Sequence, residues 1–258
     1  MASREGDMRI IGMAIGFVLA VSPATLSAQI AVPDAVAAGT RTADNVKLDP
    51  NRKPGEILQY FGLAPGMHVI DMFGANRYWS EIMAPVVGPQ GSVVVWQPTQ
   101  FINDKRKAEF AEFSARQGNV VLLSSPFGAP QLGTNAYDFA IMNLDYHDVY
   151  WENPKMNISR MEPDRWLATL FAAMRPGAVI GIIDHVAAAN NDTRATVEKY
   201  HRIDPAVVKA DFERAGFVLE GTSDLLRNSA DDHSLNVFDP KIKGQTDRFI
   251  YKFRKPAA

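Results

Sequence analysis

The chain has 258 residues, 47% hydrophobic and 22% charged, enough apolar material for one substantial core or two small ones, which excludes a disordered, fibrous or repeat protein. With 27 Lys and Arg against 29 Asp and Glu, the net charge is -2 and the pI is about 6.2, so no global positive field exists to hold a nucleic acid. Cysteine is absent, which removes disulfide scaffolds, thiolate zinc sites and cysteine nucleophiles together.

The first segment reads as a processing signal. Arg4 and Arg9 precede an apolar run from Ile10 to Val21, Ser22-Pro23 break it, and Leu26-Ser27-Ala28 offers a small-residue cleavage site. This pattern predicts a secretory signal peptide over residues 1–28. The run of about 12 residues falls short of the roughly 20 that a bilayer span needs, so a permanent anchor is not expected. Removal takes away Arg4 and Arg9 together with Glu5 and Asp7 and leaves the net charge unchanged. The expected product is a periplasmic or secreted protein with no stable membrane insertion.

From Gln29 to Arg52 the chain is rich in Ala, Thr, Asp and Pro without sustained periodicity, which predicts a lead-in arm over the surface. The main domain is expected over residues 53–258. Pro54 suits a first helical turn, Ile57, Leu58 and Phe61 form an apolar stripe, and Gly62 stops the helix. Five short apolar runs follow: Met67 to Phe73, Ser92 to Gln97, Val120 to Ser124, Tyr137 to Leu144 and Val179 to Asp184. Continuous rather than alternating hydrophobicity suits strands of a parallel sheet buried on both faces. Helical segments separate several of them: Tyr78 to Val87 before Gly88, Lys105 to Gln117 before Gly118, and Asp164 to Met174 before Arg175-Pro176-Gly177. A last helix from Pro205 to Ala215 leads to two strands, Phe217 to Thr222 and Arg248 to Phe253, expected to pair antiparallel at a sheet edge. The alternation predicts a doubly wound α/β domain.

In such a sheet, ligands sit beyond the carboxyl ends of the strands, so polar residues there are the candidates. The first strand runs into Asp71-Met72-Phe73-Gly74-Ala75-Asn76-Arg77-Tyr78, a turn whose helix start offers backbone donors to a carboxylate or phosphate. The second ends at Gln97, where a nucleoside site would carry an acid for the ribose hydroxyls. The third ends at Ser124-Ser125. The fourth gives the densest polar cluster, Asn143-Leu144-Asp145-Tyr146-His147-Asp148, and the fifth ends at Asp184-His185. An imidazole flanked by acids at a strand end suits acid/base chemistry. His147, Asp148, His185, His201 and Asp204 also make a conceivable His/carboxylate metal set, but no tight ligand spacing supports one, and no metal is expected.

The sequence resembles class I S-adenosylmethionine-dependent methyltransferases, and more closely a group of exported bacterial methyltransferase-like proteins. The likeness spans roughly Val46 to Pro256 and rests on Arg52-Lys53-Pro54-Gly55-Glu56, the stretch from Ala64-Pro65-Gly66 to Gly91, Tyr146-His147-Asp148, Arg175-Pro176-Gly177, Asp184-His185 and His201-Arg202-Ile203-Asp204. Ala215-Gly216-Phe217, Leu225-Leu226-Arg227-Asn228 and Gly244-Gln245-Thr246-Asp247-Arg248-Phe249 add to it. The resemblance implies a mostly parallel, seven-stranded Rossmann-like sheet with an antiparallel last strand, and S-adenosylmethionine over the first two strand ends. Asp71, Gly74, Asn76 and Tyr78 would then meet its methionine part, Gln97 the ribose and Ser125 the adenine side. Asn143 and Asp145 would face the methyl group, with His147 as base and Asp148 or Asp145 orienting it, and His185 beside them.

Two departures fall on cofactor binding: the first loop has one glycine where the family is glycine-rich, and Gln97 replaces the usual acid. The leading expectation is a methyltransferase acting on a small-molecule acceptor. The alternative is an exported binding protein or pseudoenzyme that kept the sheet and lost the cofactor. A hydrolase lacks its G-x-S-x-G elbow. Export predicts a mature terminus near Gln29. N-terminal sequencing of protein from the native host checks this, and recovery of Met1 or Met8 in the cytoplasm would contradict it.

Overall fold

The computed structural model describes residues 30–189 and 191–257; the expected leader, 1–28, lies outside them. Residues 30–52 form three short helices, α1 (Val32–Val36), α2 (Ala43–Val46) and α3 (Asp49–Arg52). They are too short to show helical periodicity in sequence. Val32 and Ala35 are nevertheless buried, so this segment packs on the body of the protein.

The remaining elements alternate as expected: α4 (Pro54–Phe61), β1 (His68–Met72), α5 (Tyr78–Val87), β2 (Ser92–Pro98), α6 (Asp104–Gln117), β3 (Val120–Ser125) and β4 (Tyr137–Asn143). Then come α7 (Pro163–Ala173), β5 (Met174–His185), α8 (Thr193–Tyr200), α9 (Pro205–Arg214), β6 (Val218–Ser223) and β7 (Arg248–Arg254). The seven strands form one sheet in the order β3-β2-β1-β4-β5-β7-β6. All neighbours are parallel except β7, which is antiparallel to both β5 and β6. The doubly wound sheet with an antiparallel last strand is therefore as the sequence predicted.

One difference lies at the start of β5. Arg175-Pro176-Gly177, expected to turn the chain out of α7, lies inside the strand, which pairs Met174 with Tyr137 and then Val179 with Phe139. The extra residues form a bulge, with Gly177 at φ 80°. Gly181, further along β5, makes room for Phe61 of α4: a Cβ there would lie 2.3 Å from its ring.

Alternate residues of the central strands feed two cores. Ile70, Met72, Trp96, Ala140 and Ile182 face α7 and α9, whereas Val69, Val93, Val95, Ile141 and Ile183 face α4, α5 and α6. Burying both faces accounts for the unbroken apolar runs. Strand order reverses between β1 and β4, which opens a crevice at their carboxyl ends. The segment from Asp224 to Asp247 folds back over that end. A buried ion pair of 2.8 Å between Arg202 and Asp231 ties it down, and the Asp247 carboxylate accepts from Arg227. No helix among the described residues is long and apolar enough to cross a membrane.

Candidate active site

The crevice begins at Asp71. Its side chain is buried on the α5 side of β1, where Ser80 Oγ donates to it at 2.5 Å. Gly74 lies directly over the carboxylate, and a Cβ at that position would come within 2.4 Å of Asp71 Cγ. The one glycine of the loop is thus required by Asp71, where the sequence suggested close approach of a ligand. The other loop groups are braced from outside. Gln97 Oε1 accepts from Ala75 N, Arg106 donates to Ala75 O at 2.8 Å, and Asn45 donates to Asn76 O. Asn76 Oδ1 accepts from Tyr78 N at the start of α5. Arg77 takes a left-handed φ of 63° and sends its guanidinium to Glu109 O on α6. This bracing holds the turn without further glycines.

The N-terminal helices complete this clamp. Asp49 accepts from Arg41 and from the Tyr78 hydroxyl, and Glu81 accepts from Thr42 and Asn45. Arg52 stacks its guanidinium 4.3 Å from the centre of the Tyr78 ring. Tyr78, expected at the ligand, is turned toward this clamp. Ser125 likewise has its hydroxyl committed, accepting from Trp96 Nε1 and Gln131 N.

Beyond the strand ends lies a small polar chamber of about 150 Å³, bordered by Arg52, Asp71, Gly74, Asn76, Trp79, Asn143 and Asp145 among others. Three buried polar atoms on its border have no hydrogen-bond partner: Arg52 Nη1, Trp79 Nε1 and Asn143 Oδ1. Leaving such groups unpaired costs about 1–3 kcal/mol each, so two donors and an acceptor converging on one space define what it takes. Burial lowers the pKa of Arg52 and raises that of Asp145 well above its ordinary value, the latter with help from Asp148.

Phe73, Leu144 and Asp145 also border a wider cleft of about 480 Å³ reached by Gln97, His147, Asp148, His185 and His201. Phe73 and Leu144, each just past its strand, take left-handed φ values of 59° and 66°. Such conformations cost of order 1–3 kcal/mol and persist only where packing enforces them. Phe73 packs edge-on against Trp96 and Phe127, and Leu144 N donates to Ile183 O. Trp151, Val237 and Phe238 form the apolar side of the cleft.

His147 lies in a short 3₁₀ turn after β4 and is almost fully buried. Its orienting carboxylate is Asp184 of β5, not Asp148 or Asp145: Asp184 accepts from both His147 N at 2.9 Å and Nδ1 at 2.8 Å. The sequence placed Asp184 at the same edge but could not show that neighbouring strands bring them together. Burial disfavours the charged ring, yet Asp184 and Asp148 outweigh it and push the pKa up to about 9. The raised pKa favours the protonated ring at neutral pH, whereas a general base needs the neutral one. His185 is the opposite case, held neutral by burial beside His147, with Nδ1 bonded to Thr246 Oγ1 at 2.7 Å. Asp204 caps α9 through Ala206 N. Arg52 and Trp79 had no assigned role in the sequence reading. Trp79 is simply one more apolar position of α5 there, and Arg52 precedes a helix start.

No family model matches the chain, and no curated protein matches it in sequence. Many solved structures share its fold. They include a SAM-dependent methyltransferase from Aquifex aeolicus, 20% identical, over 83% of this chain and 97% of that one, with a TM-score of 0.55. A SAM-dependent methyltransferase from Mesorhizobium loti, 13% identical, covers 80% and 99% with a TM-score of 0.51. The cyclase SpnF, 14% identical, covers 88% and 92% with a TM-score of 0.57. The chain thus has the Rossmann-like fold of S-adenosylmethionine-dependent methyltransferases. A cyclase on the same fold means that the chemistry has to be argued from the site.

Asp71 generates a pH prediction. Burial raises its pKa to about 7, partly offset by the Ser80 hydrogen bonds and the charge of Arg52. The folded chain holds this proton more tightly than the unfolded one, so the stabilisation is complete below about pH 4 and lost as pH rises through about 7. Urea denaturation at pH 5 and pH 8 should show a loss of order 2–3 kcal/mol from this group. Asp71→Asn should remove that part of the loss; parallel profiles for the two proteins would contradict the assignment.

Proposed function

We propose that this chain is an S-adenosylmethionine-dependent methyltransferase acting on a small-molecule acceptor held in the wider cleft. The observation that carries the reading is the chamber with its unpaired Arg52 Nη1, Trp79 Nε1 and Asn143 Oδ1. Two donors suit a carboxylate, and an acceptor beside Asp145 suits an ammonium, so the chamber fits the amino-acid end of the cofactor. Its place at the strand-order reversal agrees with that fit. When bound, S-adenosylmethionine supplies a methyl group already activated by its sulfonium.

The protein's own part is alignment and proton management. Arg52 and Trp79 would hold the carboxylate, and Asn143 and Asp145 would hold the ammonium. Gln97 and Phe101 border the cleft near the end of β2, where the nucleoside would extend. Gln97 Oε1 already accepts from Ala75 N, so the side chain braces the loop rather than replacing the missing acid. Phe73, Trp151 and Phe238 give the acceptor an apolar, aromatic bed that sheds water. His185 borders the cleft with Nδ1 bonded to Thr246 Oγ1; in the tautomer where Nδ1 donates to that hydroxyl, Nε2 would take the proton of an oxygen or nitrogen acceptor.

Calorimetric titration with S-adenosylhomocysteine tests the reading. The wild type should bind, and Arg52→Ala should weaken binding by about 10²-fold, because a buried charge partner is lost. Trp79→Phe keeps an aromatic side chain, though a smaller one, and removes the donor, so a loss of roughly 10-fold is expected. Melting temperatures separate these effects from misfolding. Unchanged affinity in both folded variants would contradict the assignment.

A further inference from the structure

We propose that His147, Asp148 and His201 bind one divalent transition-metal ion, with zinc as the chemistry that fits best. His147 and Asp148 sit on the turn after β4 and His201 ends α8, so the group joins segments more than fifty residues apart in sequence. One ligand atom from each lies within 4.8 Å of the others. From sequence these three fall within a wider conceivable set and no metal is expected, because the residues are not spaced as ligands along one element; folding gathers His147, Asp148 and His201 and leaves Asp204 as the cap of α9.

Three observations point to an ion rather than an internal ion pair. Asp148 Oδ1 is buried with no hydrogen-bond partner, although it is central to the cluster. It lies 3.4 Å from His147 Nε2 and 3.7 Å from His201 Nδ1, too far for good hydrogen bonds. Ligands about 2.0–2.1 Å from a tetrahedral zinc ion stand roughly 3.3 Å apart, close to the two separations from Asp148, while the two imidazole nitrogens lie within 4.8 Å of each other.

The second observation is the support behind His147. Asp184 accepts from Nδ1, which leaves Nε2 as the nitrogen presented to Asp148, and an ion bound there takes the place of the proton that Nε2 otherwise holds. A carboxylate behind a histidine is the arrangement that fixes ring orientation and tautomer in metal sites. Third, His201 is held in place from several sides. It takes a left-handed φ of 50°, and its ring packs against Trp151, Phe238 and His147. All three side chains border the wider cleft, so coordination positions not filled by protein would open toward a ligand there. Two imidazoles and one carboxylate suit borderline ions such as zinc, cobalt or iron better than magnesium or calcium.

The inference does not rest on the methyltransferase reading. Chelator-treated protein lacking a polyhistidine tag is titrated with zinc chloride by calorimetry, and with cobalt chloride by visible absorption. The expected result is one zinc per chain, and a cobalt spectrum that zinc abolishes. Asp148→Asn and His201→Asn should each weaken zinc binding by more than about 10-fold, since even supporting residues cost that much. Asn tolerates the left-handed backbone at position 201. Circular dichroism and melting confirm folding, and S-adenosylhomocysteine titration of the same samples reports on the chamber separately. Absence of stoichiometric zinc binding, or equal zinc affinity in both folded variants, would overturn the site and leave the cluster as an ion pair only.

Discussion

A single buried carboxylate sets the geometry of the candidate site. Asp71 lies at the end of β1 with almost no exposure, in contact with Ser80 and roofed by Gly74. A buried acid has to be satisfied locally, and here the first turn of α5 does so. The turn from Phe73 to Arg77 therefore has little latitude, and the backbone of Ala75 and Asn76 is pinned by Gln97, Arg106 and Asn45. The chamber exists because this turn is held back from the strand ends. Its opposite wall comes from Asn143 and Asp145 at the end of β4, the neighbour of β1 in the sheet.

Asp184 plays the corresponding part on the other side of the crevice. It accepts from His147 N, His147 Nδ1 and His185 N, so one carboxylate orients the His147 imidazole and pins the backbone at His185. Their charge states are opposed: His147 is held protonated by its acids, and His185 is held neutral by burial and the nearby charge. Asp71 thus organises the polar end of the site and Asp184 the reactive end. Phe73, Leu144 and Asp145 form the partition they share.

Much of the fold was legible because the strands are buried on both faces and the long helices carry stripes and stop signals. Tyr78–Val87 and Pro54–Phe61 match their expected bounds for that reason. Helix α8 was not read, since of its eight residues only Val197 is buried and the rest look like loop. The helices before Lys53 are each four or five residues long, and their contribution comes from tertiary contacts that composition does not display. At the site, strand-end reasoning named Asp71, Asn143, Asp145, His147 and His185, which the fold gathers along the crevice. It could not assign Asp184 to His147, because that pairing depends on how β4 and β5 align. Nor could it separate residues that face the chamber from those that brace it, so Tyr78 and Ser125 were named and Arg52 and Trp79 were not.

The central claim is that the chamber takes the amino-acid end of the cofactor. A crystal structure of the protein with S-adenosylhomocysteine tests it directly. The account predicts the ligand carboxylate within hydrogen-bond distance of Arg52 Nη1 and Trp79 Nε1, and its ammonium beside Asn143 Oδ1. A ligand bound with its amino-acid end outside the chamber, those three atoms still unpaired, would contradict it.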